Sequence, residues 1–181
     1  MMNLDYPRDL IMIGAIFGIA AFVWAGWAQE RPPSTVWRVY LGLLSLAGLA
    51  LSSVSILFAI SNWAQGTAID PQAPAFAVYV VIAAIEFLAG AVIAVILVRR
   101  KRIELVAPAI LALVGFHFFA LAVVFEQPVL HLAAALLMIV ALVALYSSRE
   151  RAAPSFWCGA LGAPIFLAVG AWCAAAGIGA L

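Results

Sequence analysis

The chain of 181 residues is 68% apolar and only 9% charged, with a mean hydropathy of +1.20 and a net charge of +1. Soluble domains are about 45–50% apolar and about 25% charged, so this chain has too little polar surface to coat a water-facing globule. Disorder, collagen-like repeats and nucleic-acid binding are excluded too, because charge is nearly balanced and no basic cluster interleaves with aromatics.

A membrane-crossing helix needs about 20 mostly apolar residues. Runs bounded by charge, Pro and Gly predict six of them, over about 10–28, 38–63, 75–98, 105–125, 129–147 and 154–180. Nothing alternates apolar and polar residues as a barrel strand would. The expected fold class is therefore an all-α integral membrane protein, a six-transmembrane-helix bundle forming a single domain over residues 1–181. The connections are short, which predicts that consecutive spans are antiparallel neighbours.

Span one holds Gly14-x-x-x-Gly18, a pattern that lets two helix backbones approach closely. Trp24 and Trp27 near its end look like interfacial anchors. The segment Met1–Asp9 is net acidic, where a signal peptide needs positive charge, so the span is expected to be uncleaved. Pro32 and Pro33 punctuate the way into span two, which carries Ser45, Gly48, Ser52, Ser55, Ala59 and Asn62 on one helical face. Asp70, Pro71 and Pro74 precede span three, where Tyr79, Ala83, Glu86, Gly90 and Ala94 fall on one face. Such stripes predict tight packing, and around Glu86 they predict a small polar cavity lined by spans two and three.

Arg99-Arg100-Lys101-Arg102 precedes span four, Pro128 span five and Pro154 span six, and Pro164 inside span six predicts a kink. Cys158 and Cys173 are both in span six, fifteen residues and so over about 20 Å apart along a helix. They cannot bridge each other there.

Lys and Arg in short loops set orientation. Eight of the nine basic residues (Arg31, Arg38, Arg99, Arg100, Lys101, Arg102, Arg149 and Arg151) follow spans one, three and five. Only Arg8 lies on the other side, with Asp5, Asp9, Asp70 and Glu126. Both termini are thus expected outside the cell and the three basic loops inside, where Arg99–Arg102 can touch anionic headgroups.

Glu86 is the one acid without a loop. It follows Pro74 by twelve residues, roughly 18 Å below that helix end, near the bilayer centre. An acid at that depth costs at least about 2.5 kcal/mol on insertion scales and points to function. His117 precedes Phe125 by eight residues, placing it about 12 Å deep. The two depths differ by about 6 Å, so a Glu86–His117 pair is predicted, offering a proton- or cation-binding element. Ser52, Ser55, Tyr79 and Asn62 are the remaining candidate ligand- or ion-binding groups.

Other chemistries find less support. A metal site would need Glu86, His117 and His131 together, without any local ligand motif. A single haem would need His117 and His131 as axial ligands, although their depths differ by about 7 Å. A hydrolase would want Ser52 or Ser55 beside His117 and Glu86, yet no nucleophile motif is present. No catalytic residue is assigned and enzymatic activity is not expected. Gly14, Gly18, Gly48 and Pro164 are read as packing elements.

Gly26-Trp27-Ala28-Gln29-Glu30-Arg31-Pro32-Pro33 after span one, Asn62-Trp63, Glu86 and Gly115-Phe116-His117-Phe118-Phe119-Ala120-Leu121-Ala122 carry a resemblance. The chain resembles small six-span bacterial inner-membrane proteins. The resemblance implies a bacterial cytoplasmic membrane and draws attention to Glu86 and His117, without supplying a substrate. The expected function is binding or moving a small solute or ion, with proton coupling as an option, in contact with the lipid bilayer and with no nucleic-acid partner. A homo-oligomer is compatible with the composition. Two alternatives stand beside it: a non-catalytic scaffold or sensor subunit whose polar groups lock packing, and a haem- or divalent-metal-binding membrane protein.

Overall fold

A computed structural model of the chain describes residues 2–69, 72, 74–147, 150 and 152–181, with Ala75 described by its backbone alone. Asp70, Pro71, Arg149 and Arg151, used above as punctuation or orientation signals, lie outside the described residues. The described residues form helices α1 (Pro7–Trp27), α2 (Thr35–Ser61), α3 (Pro74–Arg99), α4 (Val106–Val124), α5 (Val129–Tyr146) and α6 (Pro154–Gly179). All six are long and apolar enough to cross a bilayer, so the protein is a multi-pass membrane protein in contact with lipid. Single 3-10 turns, Ala28–Glu30 and Ile103–Leu105, follow α1 and precede α4.

Helix starts outrun the apolar runs. Pro7 opens α1 with Asp9 in its first turn, and α2 begins at Thr35, taking in Arg38. A charge ends a hydrophobic run but not a helix, because Pro at the first position and Asp near the N-terminus suit a helix start. α3 and α4 stop in the same way. Lys101 and Glu126 adopt positive φ of 56° and 53°. Beyond α3, the Arg102 N–H donates to the Leu97 carbonyl at 2.8 Å and Lys101 N–H to Val98 at 2.9 Å. Beyond α4, Gln127 N–H donates to Ala122 at 2.9 Å and Glu126 N–H to Val123 at 3.2 Å. Both are Schellman endings, which satisfy the last helical carbonyls.

α1 is the packing centre, held between α2 and α6. Glycine is required where the backbones meet: a Cβ on Gly18 would lie 2.6 Å from both the Gly48 carbonyl oxygen and the Ser52 nitrogen. On the α6 side a Cβ on Gly14 would meet Ala174 at 2.6 Å and the Gly170 carbonyl at 3.0 Å. The small-residue stripe of α2 is as expected, with Gly48, Ser52, Ser55 and Ala59 buried. α6 runs helically through Pro164. α5 links the two halves of the bundle, packing on α4 and α6, and α3 lies along α4. A ring cluster of Phe17, Phe118 and Phe166, with centroids 5.1 to 6.2 Å apart, sits where α1, α4 and α6 converge.

One expected adjacency is corrected. Among the described residues, α2 and α3 do not pack along each other. Their connection is the longest in the chain, and residues 62–69 cross the start of α1 instead. There the Arg8 guanidinium donates to the Trp63 carbonyl at 2.6 Å and lies 4.8 Å over the Trp63 ring, while Ala68 N–H donates to the Asp9 carboxylate at 2.8 Å. The N-terminal segment is pinned nearby. Asn3 N–H donates to Gln127 Oε1 at 3.2 Å, and Gln127 Nε2 returns a bond to the Asn3 carbonyl at 2.7 Å. Both chain ends share this terminal face, since Gly177 lies against Pro7. Arg31 and Ala153, joined by a backbone contact of 3.4 Å, belong to the opposite, basic face.

Candidate functional site

α3 turns one face inward: Phe76, Tyr79, Ala83, Glu86, Gly90 and Ala94, flanked by Ile82, Ala89, Ile93 and Leu97, are part-buried among more exposed neighbours. Three- and four-residue spacing makes this a single face. α4 presents His117 to it. The His117 Nδ1 lies 2.6 Å from Glu86 Oε1, with the two side chains 15% and 17% exposed. The expected pair is therefore formed. At 2.6 Å the two atoms are close enough to share one proton, which makes the contact a polar link between α3 and α4. Phe118 stands edge-on to the His117 ring at 4.8 Å.

The pair opens onto a cavity of about 300 Å³ between α1 and the α3–α4 hairpin. Ile16, Phe17, Ala20 and Trp24 of α1 face Glu86 and His117 across it, with Phe166 of α6 closing one side. This middle cavity adjoins a second of about 310 Å³ toward the terminal face. Ile16, Phe17, Tyr79, Phe118, Leu121 and Phe125 line both. The mouth of the second carries Arg8, Asp9, Trp63 and Thr67. Toward the basic face a vestibule of about 640 Å³ is lined by Trp27, Glu30, Arg31, Glu104 and Ser155. Ser155 Oγ donates there to Glu30 at 2.6 Å.

The three spaces follow one face of α1 in order: Asp9 and Ile13, then Ile16, Ala20 and Trp24, then Trp27 and Glu30. Trp24 and Trp27 stack at 5.4 Å with 17° between their planes, and they stand between the middle cavity and the vestibule. Trp24, expected at the interface, is instead 6% exposed and forms part of the site wall.

The other candidates divide. Tyr79 lines the cavities, its ring 5.8 Å from that of Phe125. Ser52 and Ser55 do not reach the site; both are buried against α1, with Ser55 Oγ beside Gly14. No residue of α2 lines the cavity, because its stripe is consumed by the glycine seam; the wall expected from α2 comes from apolar residues of α1, and the polar partner of Glu86 is His117 of α4. Asn62 caps its own helix, its side-chain amide donating to the Phe58 carbonyl at 2.9 Å. His131 is exposed and lies against Phe119 at 5.8 Å. Positions 117 and 119 project about 200° apart on α4, so the two histidines cannot converge on one haem iron or one metal ion. No group of three metal-ligating side chains exists among the described residues.

Sequence reasoning missed the polar mouth. Arg8 and Asp9 read as loop charges, although an acid one turn into an apolar helix signals a buried N-terminal contact. Comparison with protein-family models, with curated proteins and with solved structures returns no match for this chain.

Proposed function

We propose that this multi-pass protein resides in a bacterial inner membrane, termini outside, and binds and moves a small solute or ion through the intramembrane site at Glu86 and His117. The observation that carries the reading is that the 2.6 Å pair faces a cavity which continues to a polar mouth. A pair serving packing alone gains nothing from an adjoining void, since empty space forfeits dispersion contacts. Two ionisable groups buried together and reachable from one face suit a site where a charge is taken up and released. The excess of Arg and Lys at the basic face supports the orientation. A reporter fused after Leu181 is expected to be active only outside the cytoplasm; cytoplasmic activity overturns the orientation.

The function is tested on purified protein in detergent by melting temperature between about pH 5 and 8, the range in which histidines titrate, and by ligand-induced stabilisation across a panel of organic and inorganic ions. Wild type is expected to respond to pH and to at least one ion, and Glu86→Gln is expected to abolish both responses while still folding.

A second reading has its own observation: among the described residues α4 is the one helix along which α3 packs extensively, and the Glu86–His117 contact is an intramembrane polar link between those two helices. On that reading the protein is a scaffold or sensor subunit. It wins if Glu86→Gln lowers the melting temperature and every ion response survives.

A further inference from the structure

The chemistry of the chamber narrows the solute, and this step rests on the binding reading above. The groups facing Glu86 can be taken element by element. α4 contributes His117; α1 contributes Ile16, Phe17, Ala20 and Trp24, none of them titratable; α6 contributes Phe166. α3 itself adds Tyr79, seven residues and so about 10 Å toward the terminal face. Arg8 and Asp9 are at the distant mouth, each already bonded to the 62–69 segment. The interior therefore presents one carboxyl group, one imidazole in contact with it and a wall of aromatic rings.

Each property selects. A hard metal ion wants about six oxygen ligands, which a single carboxylate with a phenol two turns away does not provide. An anion would meet Glu86 and the negative faces of Phe17, Trp24, Tyr79 and Phe118. A small strongly hydrated cation would lose its water to phenyl rings. A cation whose charge is spread or shielded by apolar groups suffers little from that loss and gains cation–π attraction, strongest over Trp. Its charge has a natural seat at Glu86, the carboxyl group that borders the cavity beside His117.

We infer that the chamber is a site for monovalent lipophilic organic cations, which displace His117 from Glu86 and release the proton that the pair shares. The exchange balances: one positive charge enters, the carboxylate keeps one counter-ion, and one proton leaves through the mouth to water. The site's net charge is the same before and after, so no uncompensated charge is left in the low-dielectric interior.

Tetraphenylphosphonium and tetraphenylborate, nearly equal in size and shape and opposite in charge, test this on the full chain in detergent. Binding is measured by calorimetry in buffers of different ionisation enthalpy, which counts protons. Tetraphenylphosphonium is expected to bind with one proton released, its affinity rising up to tenfold per pH unit while the Glu86–His117 pair holds its proton. Glu86→Gln is expected to lose at least tenfold in affinity. His117→Gln is expected still to bind but with a displaced pH dependence, because Glu86 alone then holds the proton that the cation releases, a signature a structural role would not give. Tetraphenylborate is expected not to compete.

If both ions bind equally and Glu86→Gln affects neither, the cation inference is overturned while a chamber that binds apolar solutes stands. If neither binds and the wild-type response to pH and to some other ion persists, the cation inference falls alone. If those responses are missing as well, the binding reading falls with it. Should Glu86→Gln fail to fold, Ala83→Leu, which narrows the cavity beside Glu86, is expected to weaken tetraphenylphosphonium binding. Unchanged affinity in that variant overturns the location.

Discussion

α1 has two unlike sides. Toward α2 and α6 it is packed to backbone contact: Gly14, Gly18, Gly48, Gly170 and Gly177 all sit where a Cβ would come within 3.0 Å of a neighbour. Toward α3 and α4 it faces cavities, and among the described residues it meets α4 at the Phe17–Phe118 ring contact without extended packing on either helix. In a bilayer no hydrophobic effect drives helices together, so close packing and interhelical polar contacts supply the association. The glycine side has the first of these, and the α3–α4 side depends on the second through Glu86 and His117. The contrast assigns tight packing to α1, α2 and α6, and leaves α3, whose packing runs along α4, as the least tightly held helix among the described residues.

The contrast breaks first at the seam. Gly18→Leu pushes a side chain into backbone on α2, with no flexible atom to give way. Overpacking costs typically about 1–3 kcal/mol and occasionally more, and the full separation of two backbones belongs at the upper end. The variant is expected not to yield a monodisperse folded protein by size-exclusion chromatography. Gly42→Ala is the control, since a Cβ there meets nothing within 4 Å. It should leave the melting temperature unchanged or slightly raised.

The clamp at the terminal face comes next. Gln127 is fully buried and exchanges two hydrogen bonds with the Asn3 backbone. Gln127→Ala strands the Asn3 amide and carbonyl at a cost of about 1–3 kcal/mol, read as a lower melting temperature. On the cavity side the opposite is expected. Ala83→Leu adds volume where about 300 Å³ is open, so its stability cost should stay under about 1.5 kcal/mol, in the range of well-tolerated apolar changes. A loss as large as that of Gly18→Leu would show that the two sides of α1 are packed alike.

Much of this was legible in the residues, and what was not has a physical cause. Six apolar runs gave six helices because length and hydropathy alone decide a span. The faces of α2 and α3 followed from three- and four-residue spacing, and the Glu86–His117 contact from the rise per residue. Periodicity names a face but never the partner that covers it. The serines of α2 were therefore expected at Glu86 and are found against Gly14 and Gly18. The crossing of residues 62–69 over α1 was hidden for a related reason: a twelve-residue connection can reach roughly 40 Å, far enough to pass a neighbouring helix. Trp24 read as an anchor because indoles favour interfaces, although six residues before Glu30 is deep enough to wall a cavity.

The smallest expected effect probes the tight side from within. Ser55 is fully buried, and its hydroxyl has no hydrogen-bond partner where it meets Gly14. A hydroxyl buried without a partner costs about 1–3 kcal/mol in protein data, while its oxygen also occupies space between α1 and α2. Ser55→Ala removes the unpaired group and keeps the small volume that the seam demands. It is expected to raise stability by about 0.5–1 kcal/mol, short of the full penalty because the emptied space is not refilled. A fall in melting temperature would mean that the hydroxyl bonds backbone across the seam, so that the glycine side too is held by polar contacts. A rise would locate the polar link between helices on the cavity side, at Glu86 and His117, where the solute is proposed to bind.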